Sequence, residues 1–247
     1  MKILSIGGGP AGLYFGILMK QLDLSHEITI VERNRPDDTF GFGVVFSDNT
    51  LGYLQNSDEE VYQQIIHHCR SWDPIEVRFG GKTLRCGGNG FSAIARKKLL
   101  NILQTRAIAV GVDLRFQTEF NDAARLDQYD LVIASDGANS SIRRMFAETF
   151  QPTMEVGKAK YIWFGTTKRF DSLTFLFEHN QHGLFSVHAY PFDEQTSTFI
   201  VETDEDSWQR AGLDRNVEAT LAPGKSDFTS KAYFQELFPS STALSRI

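Results

Sequence analysis

The stretch Lys2-Ile3-Leu4-Ser5-Ile6-Gly7-Gly8-Gly9-Pro10-Ala11-Gly12 decides the fold. Lys2 to Ile6 is a short apolar run that stops at a glycine, which reads as a strand entering a turn. Pro10 follows at a position where the first turn of a helix accepts proline. Ala11, Tyr14, Phe15, Leu18 and Leu22 then recur at helical spacing, so a helix is predicted over 10–22. Gly7, Gly9 and Gly12 fit G-x-G-x-x-G in the strand–turn–helix context that the motif requires. Each glycine has a steric purpose. Gly7 allows the tight turn, Gly9 lets the backbone approach a pyrophosphate, and Gly12 lets the helix pack close to the strand. The helix N–H groups then face an anion. Glu27 to Glu32 is a second, β-branched strand, and Glu32 at its end can accept hydrogen bonds from a ribose diol. Gly7, Gly9, Pro10, Ala11, Gly12 and Glu32 are therefore the expected cofactor-binding set. A glycine turn that serves packing alone is the alternative.

Working outward, Asn34 to Asn49 contains Pro36, Asp37, Gly41 and Gly43 and reads as a long loop. Asp58 to Cys69 reads as a helix. Ile75 to Phe79 and Thr83 to Cys86 flank Gly80-Gly81, a hairpin signal. A helix is expected from Ser92, as N-cap, to about Val110. Asp113 to Phe116 and Asp130 to Ser135 are further strands. The character changes near Phe150-Gln151-Pro152. Four β-like runs follow: Tyr161 to Thr166, Leu173 to Glu178, Leu184 to Pro191 and Ser197 to Thr203. No helical pattern intervenes, so they suggest an antiparallel sheet. Two short helices, Glu205 to Leu213 and Phe228 to Phe238, come last. The expected fold class is α/β: a Rossmann-like domain over 1–150 with an inserted hairpin, and an antiparallel-sheet (α+β) domain over 151–247.

Composition narrows the function. The 247 residues amount to roughly one and a half domains. The net charge is −6, which makes a poor nucleic-acid partner. No apolar run reaches about 18 residues, so no membrane span is expected. Two cysteines, Cys69 and Cys86, make no disulfide framework, and cytoplasmic residence is the default expectation. His179 and His182, three apart in a turn-like segment, lack a third ligand, so no metal site is expected. Oligomeric state is not legible.

The glycine motif alone does not separate NAD from FAD. Two features favour FAD. Arg96, Lys97 and Lys98 lie in the first turns of the expected helix, where cations oppose the macrodipole unless an anion is near. Lys97 and Lys98 can simply face water, but Arg96 suits a phosphate or ribityl contact. Asp136-Gly137-Ala138-Asn139-Ser140-Ser141-Ile142-Arg143 follows the strand 131–135. It places a second turn at the ligand-binding edge of the sheet. Ordinary capping by Asp136 or Ser140 is the plainer reading of that turn.

In order and context, Gly7 to Gly12, Glu32-Arg33, Arg96-x-x-Leu99 and Asp136-Gly137…Arg143 resemble the flavoprotein aromatic hydroxylases, the para-hydroxybenzoate hydroxylase-like group. A narrower resemblance is to the FAD half of aryl-CoA hydroxylases such as salicylyl-CoA 5-hydroxylase and 2-aminobenzoyl-CoA monooxygenase. It runs through Gly43-Val44-Val45-Phe46-Ser47-Asp48, Lys160 to Thr167, His188-Ala189-Tyr190 and Ser197 to Glu202. Arg33, Val45, Asp136 and Gly137 join the expected cofactor set on this resemblance. It implies an FAD-dependent monooxygenase that uses NAD(P)H and O2 to hydroxylate an aromatic substrate, such as an aryl-CoA thioester. Hydride and oxygen chemistry then belong to the cofactor, while the protein orients it and excludes water. The loop from Phe40 to Asp48 is where the flavin ring or its motion is expected. The antiparallel sheet would roof the substrate, with Tyr161 and Trp163 on one strand and His188 and Tyr190 on another. His188 is the candidate proton-handling group, although a lone strand histidine and its neighbours can equally be sheet packing.

Two departures from the family pattern stand out. Gly88-Asn89-Gly90-Phe91 replaces a Gly-His-Gly-Phe, and asparagine cannot relay protons. The family's later Gly-Asp flavin motif is missing, so C-terminal truncation is expected. A tryptophan-type hydroxylase, a non-catalytic nucleotide-binding fragment and an NAD-only dehydrogenase are the rivals.

Overall fold

The computed structural model describes residues 1–39, 41–214, 227–239 and 244–245. Phe40, at the head of the expected loop, lies outside the described residues. Along the chain the elements run as follows. β1 (Lys2–Ile6), α1 (Pro10–Leu22) and β2 (Glu27–Val31) come first. β3 (Gly43–Ser47), α2 (Asp48–Ser57), α3 (Glu59–His68), β4 (Arg70–Trp72), β5 (Ile75–Phe79), β6 (Lys82–Cys86), β7 (Phe91–Ala95) and α4 (Arg96–Ala109) follow. Then come β8 (Asp113–Arg115), β9 (Leu131–Ala134), α5 (Ser141–Met145) and α6 (Ala147–Phe150). The remainder is β10 (Lys160–Thr166), β11 (Leu173–Asn180), β12 (Gly183–Pro191), β13 (Ser197–Thr203), α7 (Glu205–Arg210), α8 (Phe228–Leu237) and β14 (Leu244–Ser245).

The chain divides into two compact units built from interleaved segments. The first comprises 1–39, 53–65 and 97–155; the second comprises 40–52, 66–96 and 156–247.

The first unit holds a parallel sheet of order β8-β2-β1-β9. Ile3, Leu4 and Ile30 are buried within it, as a strand covered on both faces requires. Gly16 lets α1 approach closely: a Cβ there would lie 2.9 Å from Ile30 Cδ1. Asp58 caps α3 by accepting from Val61 N–H at 3.0 Å. Its other oxygen accepts from Gln21 at 2.6 Å and from Arg106 Nε at 3.0 Å. The Asp58 side chain is 1% exposed, so this pair fixes α1, α3 and α4 to one another inside the protein.

The second unit holds two sheets. One has the order β14-β10-β13-β12-β11-β5-β6 and the other β3-β7-β4. All four β-like runs of the second half form antiparallel neighbours, as expected. β13 is central and buried over most of its length, so it carries the near-continuous apolar run Phe199-Ile200-Val201. One face of the sheet closes on Trp208 of α7 and on Phe234, with Phe238 just beyond α8; Phe164, Phe185, Phe199 and Val187 supply its side. Edge-to-face rings join Phe234 to Phe164 and Phe185.

Three expectations need correction. The hairpin at 75–86 forms with Gly80 and Gly81 both at positive φ, but it is not an insertion in the first unit. Ile75 to Arg78 pair in parallel with Leu173 to Leu176, which makes the hairpin the edge of the second unit's large sheet. The segment 34–49 is not loop throughout. Val44, Val45 and Phe46 pair with Ile94, Ala93 and Ser92, so their β-branched and aromatic character outweighs the flanking glycines. Ser92 is not a helix N-cap. Phe91–Ala95 is the middle strand of three, and the helix begins at Arg96. A short apolar run cannot be assigned to helix or strand from periodicity alone.

Among the described residues, no helix is long and apolar enough to cross a membrane. Asp58→Ala should deprive the Arg106 guanidinium of its buried partner and leave it with the exposed Glu60 carboxylate. The expected cost is about 3 kcal/mol, read as a lower midpoint in urea denaturation with unchanged slope.

Candidate functional site

β1 is flanked by β2 on one side and β9 on the other, so the chain reverses direction of winding at the carboxyl end of β1. That is the topological switch point, where open α/β sheets bind ligands. Gly7 sits there at φ +112°, and a Cβ on it would meet the Ser135 carbonyl oxygen at 2.3 Å. Gly12 is still more confined, because its Cβ would lie 2.1 Å from the Gly7 carbonyl oxygen. Ser135 Oγ ties the two turns together by donating to the carbonyls of Ile6 and Gly7, at 3.0 Å each. Gly7 and Gly12 are therefore explained by the fold itself.

Gly9 is different. It has an ordinary φ of −74°, and a Cβ on it would meet nothing within 4 Å. No neighbour among the described residues forbids a Cβ there, yet Gly9 caps α1 at the switch point. Space left open over helix N–H groups suits an external anion. Pro10 and Ala11 open the helix behind it.

Glu32 lies beside this turn. Its Oε2 accepts from Gly8 N–H at 2.8 Å, and its Oε1 accepts from the backbone and side chain of Asn34 at 2.9 and 2.7 Å. A carboxylate has about four lone-pair positions, so one remains for an outside donor. Arg33 is exposed.

Asp136 and Gly137 follow β9, the strand hydrogen-bonded to β1. Asp136 Oδ2 accepts from Ser141 N–H and Oγ at 2.6 and 2.9 Å. Burial acts to raise this carboxyl, but hydrogen bonds from Ser140, Ser141 and Ile142 outweigh it and hold it below the ordinary carboxylate range. Asp136 Oδ1 is buried without a partner. Gly137 is at φ +85° with open space where a side chain would stand. Capping by Asp136 and by Ser140, which accepts from Arg143 N–H at 2.9 Å, is thus real and still leaves one acceptor oxygen unused.

The first unit therefore brings Gly7, Gly9, Pro10, Ala11, Gly12, Glu32, Asp136 and Gly137 to one sheet edge. Val45 and Arg96 belong to the second unit. Val45 packs beside Trp72, Ala93, Tyr190 and Phe192. Arg96 opens α4, its N–H donates to the Phe42 carbonyl at 2.7 Å, and its Nε is buried without a partner. A buried guanidinium nitrogen left unpaired fits an anion-binding role.

The four residues singled out on the large sheet share one face, opposite the helices. Register aligns Trp163, Ile200, His188 and Phe175 in one row across four strands. Tyr161, Glu202, Ser186 and Phe177 form the next row. Tyr161 is largely exposed, whereas Trp163 is half-buried with its ring over Gly41. Tyr190 is buried, stacks on Trp72, and donates its hydroxyl to the Gly43 carbonyl at 3.1 Å. Its polar atom is thus committed to the protein. His188 is half-buried, with Nδ1 3.9 Å from Glu202 Oε1. Burial pushes the imidazole below its usual value, and the Glu202 charge partly opposes that shift. Sequence reasoning missed Glu202, which faces His188 only through cross-strand register.

His182 stacks on Tyr233, and its Nδ1 lies 2.9 Å from the Tyr233 hydroxyl. Among the described residues no group of three or more potential metal ligands gathers. Burial pushes the Cys69 thiol up to about 11, which leaves it inert at neutral pH.

No protein-family profile matches the chain. Curated relatives do. The chain is 53% identical over 238 residues to a salicyloyl-CoA 5-hydroxylase of Streptomyces sp, covering 96% of this chain and 46% of that protein. The chain is thus similar to the flavoprotein aromatic hydroxylases. It is also 36% identical to 3-hydroxy-4-methyl-anthranilyl-[aryl-carrier protein] 5-monooxygenase of Streptosporangium sibiricum, over 83% of this chain and 57% of that protein. A third relative, the protodeoxyviolaceinate monooxygenase of Chromobacterium violaceum, is 32% identical over 96% of this chain and 63% of its own length. The chain thus spans about half the length of these hydroxylases. Solved structures agree on the fold. The tetrameric form of 2-methyl-3-hydroxypyridine-5-carboxylic acid oxygenase superposes with a TM-score of 0.72 at 18% identity, over 97% of this chain and 64% of that one. PqsL of P. aeruginosa in complex with 2-aminobenzoylacetate gives 0.68 at 13%, over 100% and 73%.

The His188 imidazole should titrate below 6.5 in an NMR pH series. Glu202→Gln removes the carboxylate charge that raises it, so the midpoint should fall further. A rise in that variant would mean that Glu202 does not face the ring.

Proposed function

We propose that the chain supplies the FAD-holding and substrate-facing parts of an NAD(P)H-dependent monooxygenase that hydroxylates an aromatic acyl thioester. The open space over Gly9, beside a carboxylate already seated on the same turn, carries this reading. In it, the first unit is the FAD-binding domain. The N–H groups at the start of α1 receive the diphosphate, Glu32 the adenosine ribose, and the Asp136-Gly137 turn the ribityl chain; Arg96 of the second unit, with its buried unpaired Nε, is an anion contact in its own right. Bound FAD supplies the hydride acceptance from NAD(P)H and the reaction with O2.

The second unit is the substrate domain. Its half-buried aromatic face orients the ring and keeps water from it. His188, held neutral by burial, is placed to accept a proton from a ring hydroxyl, and Glu202 steadies the resulting cation. Support for a thioester comes from the names of two relatives, one for a CoA thioester and the other for an aryl group on a carrier protein. Both present the acyl group as a thioester, so comparing salicylyl-CoA with a salicylyl-loaded carrier protein in turnover assays separates the two sources.

Purified protein mixed with FAD should retain it through gel filtration and show visible flavin bands. Gly9→Val should melt within a few degrees of the parent, because a Cβ there meets nothing within 4 Å among the described residues, yet lose FAD affinity by at least about a hundredfold. Gly12→Val should instead fail to fold, since its Cβ would collide with backbone. Full FAD retention by a folded Gly9→Val would sink the assignment. Glu32→Ala should weaken FAD by about tenfold, through the lost ribose contact and the loosened Gly8 N–H.

A further inference from the structure

The half-buried sheet face carries a charge pattern that bears on what it can receive. The row Trp163, Ile200, His188 and Phe175 extends through Val77 to Leu84, so six strands contribute to it without a lysine, arginine or carboxylate. The neighbouring row, from Tyr161 to Phe177, brings the Glu202 carboxylate, and Lys82, which shares the face of Leu84 on the edge strand, lies four strands from Glu202. A site built for a free aromatic acid places a cation against the carboxylate, commonly an arginine fork. Around His188 this face offers the opposite sign.

A neutral donor stands in the same row. Trp163 Nε1 is buried and has no hydrogen-bond partner among the described residues. Its six-membered edge is the part committed to the protein, with Cη2 and Cζ3 nearest to Gly41. A buried indole N–H left unpaired calls for an acceptor. An uncharged carbonyl oxygen satisfies it without a counter-ion.

We propose that this face selects an uncharged aromatic acyl group over the free aromatic acid, with Trp163 Nε1–H donating to the acyl carbonyl oxygen and Glu202 repelling a carboxylate. The inference rests on the substrate-domain reading above and adds the two residues that discriminate. Negative selection of this kind works by the cost of placing like charges together in a partly desolvated site, which reaches the unwanted ligand and spares the wanted one. Trp163 acts on the other side of the ratio, by strengthening the neutral ligand alone.

Calorimetric titration of the whole chain, loaded with FAD, tests this with methyl salicylate and salicylate as probes at pH 7.5. They share the ring and hydroxyl and differ in the charge of the acyl group. The parent protein should bind the ester about tenfold or more tightly than the acid. Glu202→Gln should narrow that ratio to about threefold or less, by tightening salicylate and leaving the ester within about twofold. Trp163→Phe should weaken the ester by about fivefold and leave salicylate within about twofold. Circular dichroism melting of both variants confirms that each is folded. Equal binding of the two probes by the parent, no measurable binding of the ester, or a ratio indifferent to Glu202→Gln in a folded variant overturns the proposal. FAD retention is measured on the same samples, so loss of flavin, which strikes the functional assignment, is read separately from loss of discrimination.

Discussion

Room for a single hydrogen atom governs the first unit. Gly12 packs so close to the Gly7 carbonyl, and Gly7 so close to the Ser135 carbonyl, that any carbon substituent would separate β1 from its helix or from β9. This closeness brings the start of α1 to the carboxyl edge of the sheet with its N–H groups free. Gly8 completes the arrangement by donating to Glu32, so the acid at the end of β2 is fixed to the same turn. Among these glycines, steric need within the protein accounts for some and not for Gly9. The separation of packing glycines from a ligand-facing one comes from asking what each missing side chain would touch.

The second unit works by division of faces. Period-two alternation sends Phe164, Phe185, Phe199 and Val201 toward α7 and α8, where they form a core of interlocking rings. The same alternation forces Trp163, His188 and Phe175 to the other side, where they are only half covered. Aromatic residues left half-covered on one side of a sheet whose other side is fully packed have not been used for stability. That surplus is the physical basis for reading the face as a binding surface.

Much of this was legible in the sequence, for identifiable reasons. β1, α1 and β13 were placed with their observed ends, because a proline at a helix start, a glycine after a strand and a dense β-branched run are strong local signals. The regions that misled were those whose fate depends on distant partners. Val44 to Phe46 become a strand only because Phe91 to Ala95 lie beside them, and Phe91 to Ala95 become a strand instead of a helix turn for the reciprocal reason. The hairpin was recognised, but its ownership could not be, since its partner strand lies in a segment that looked like a separate domain. Glu202 was invisible as a functional neighbour of His188 because the two meet only across strands.

The parallel pairing of β5 with β11 has a consequence for how the protein is made. Ile75 and Leu173 are partners, 98 residues apart by subtraction of their numbers. Loop closure over that distance is slow, and parallel pairing adds nothing until both strands exist. On the ribosome, the hairpin therefore emerges long before the edge that will receive it, and its Phe79 and Leu84 stay exposed even after pairing. Lys82 and Arg85, set along the outer strand, give that waiting ribbon the charge that discourages it from pairing with a neighbouring nascent chain. The interleaving of the two units thus dictates an order of assembly, in which the second cannot close until the strands beyond Leu173 have been synthesised.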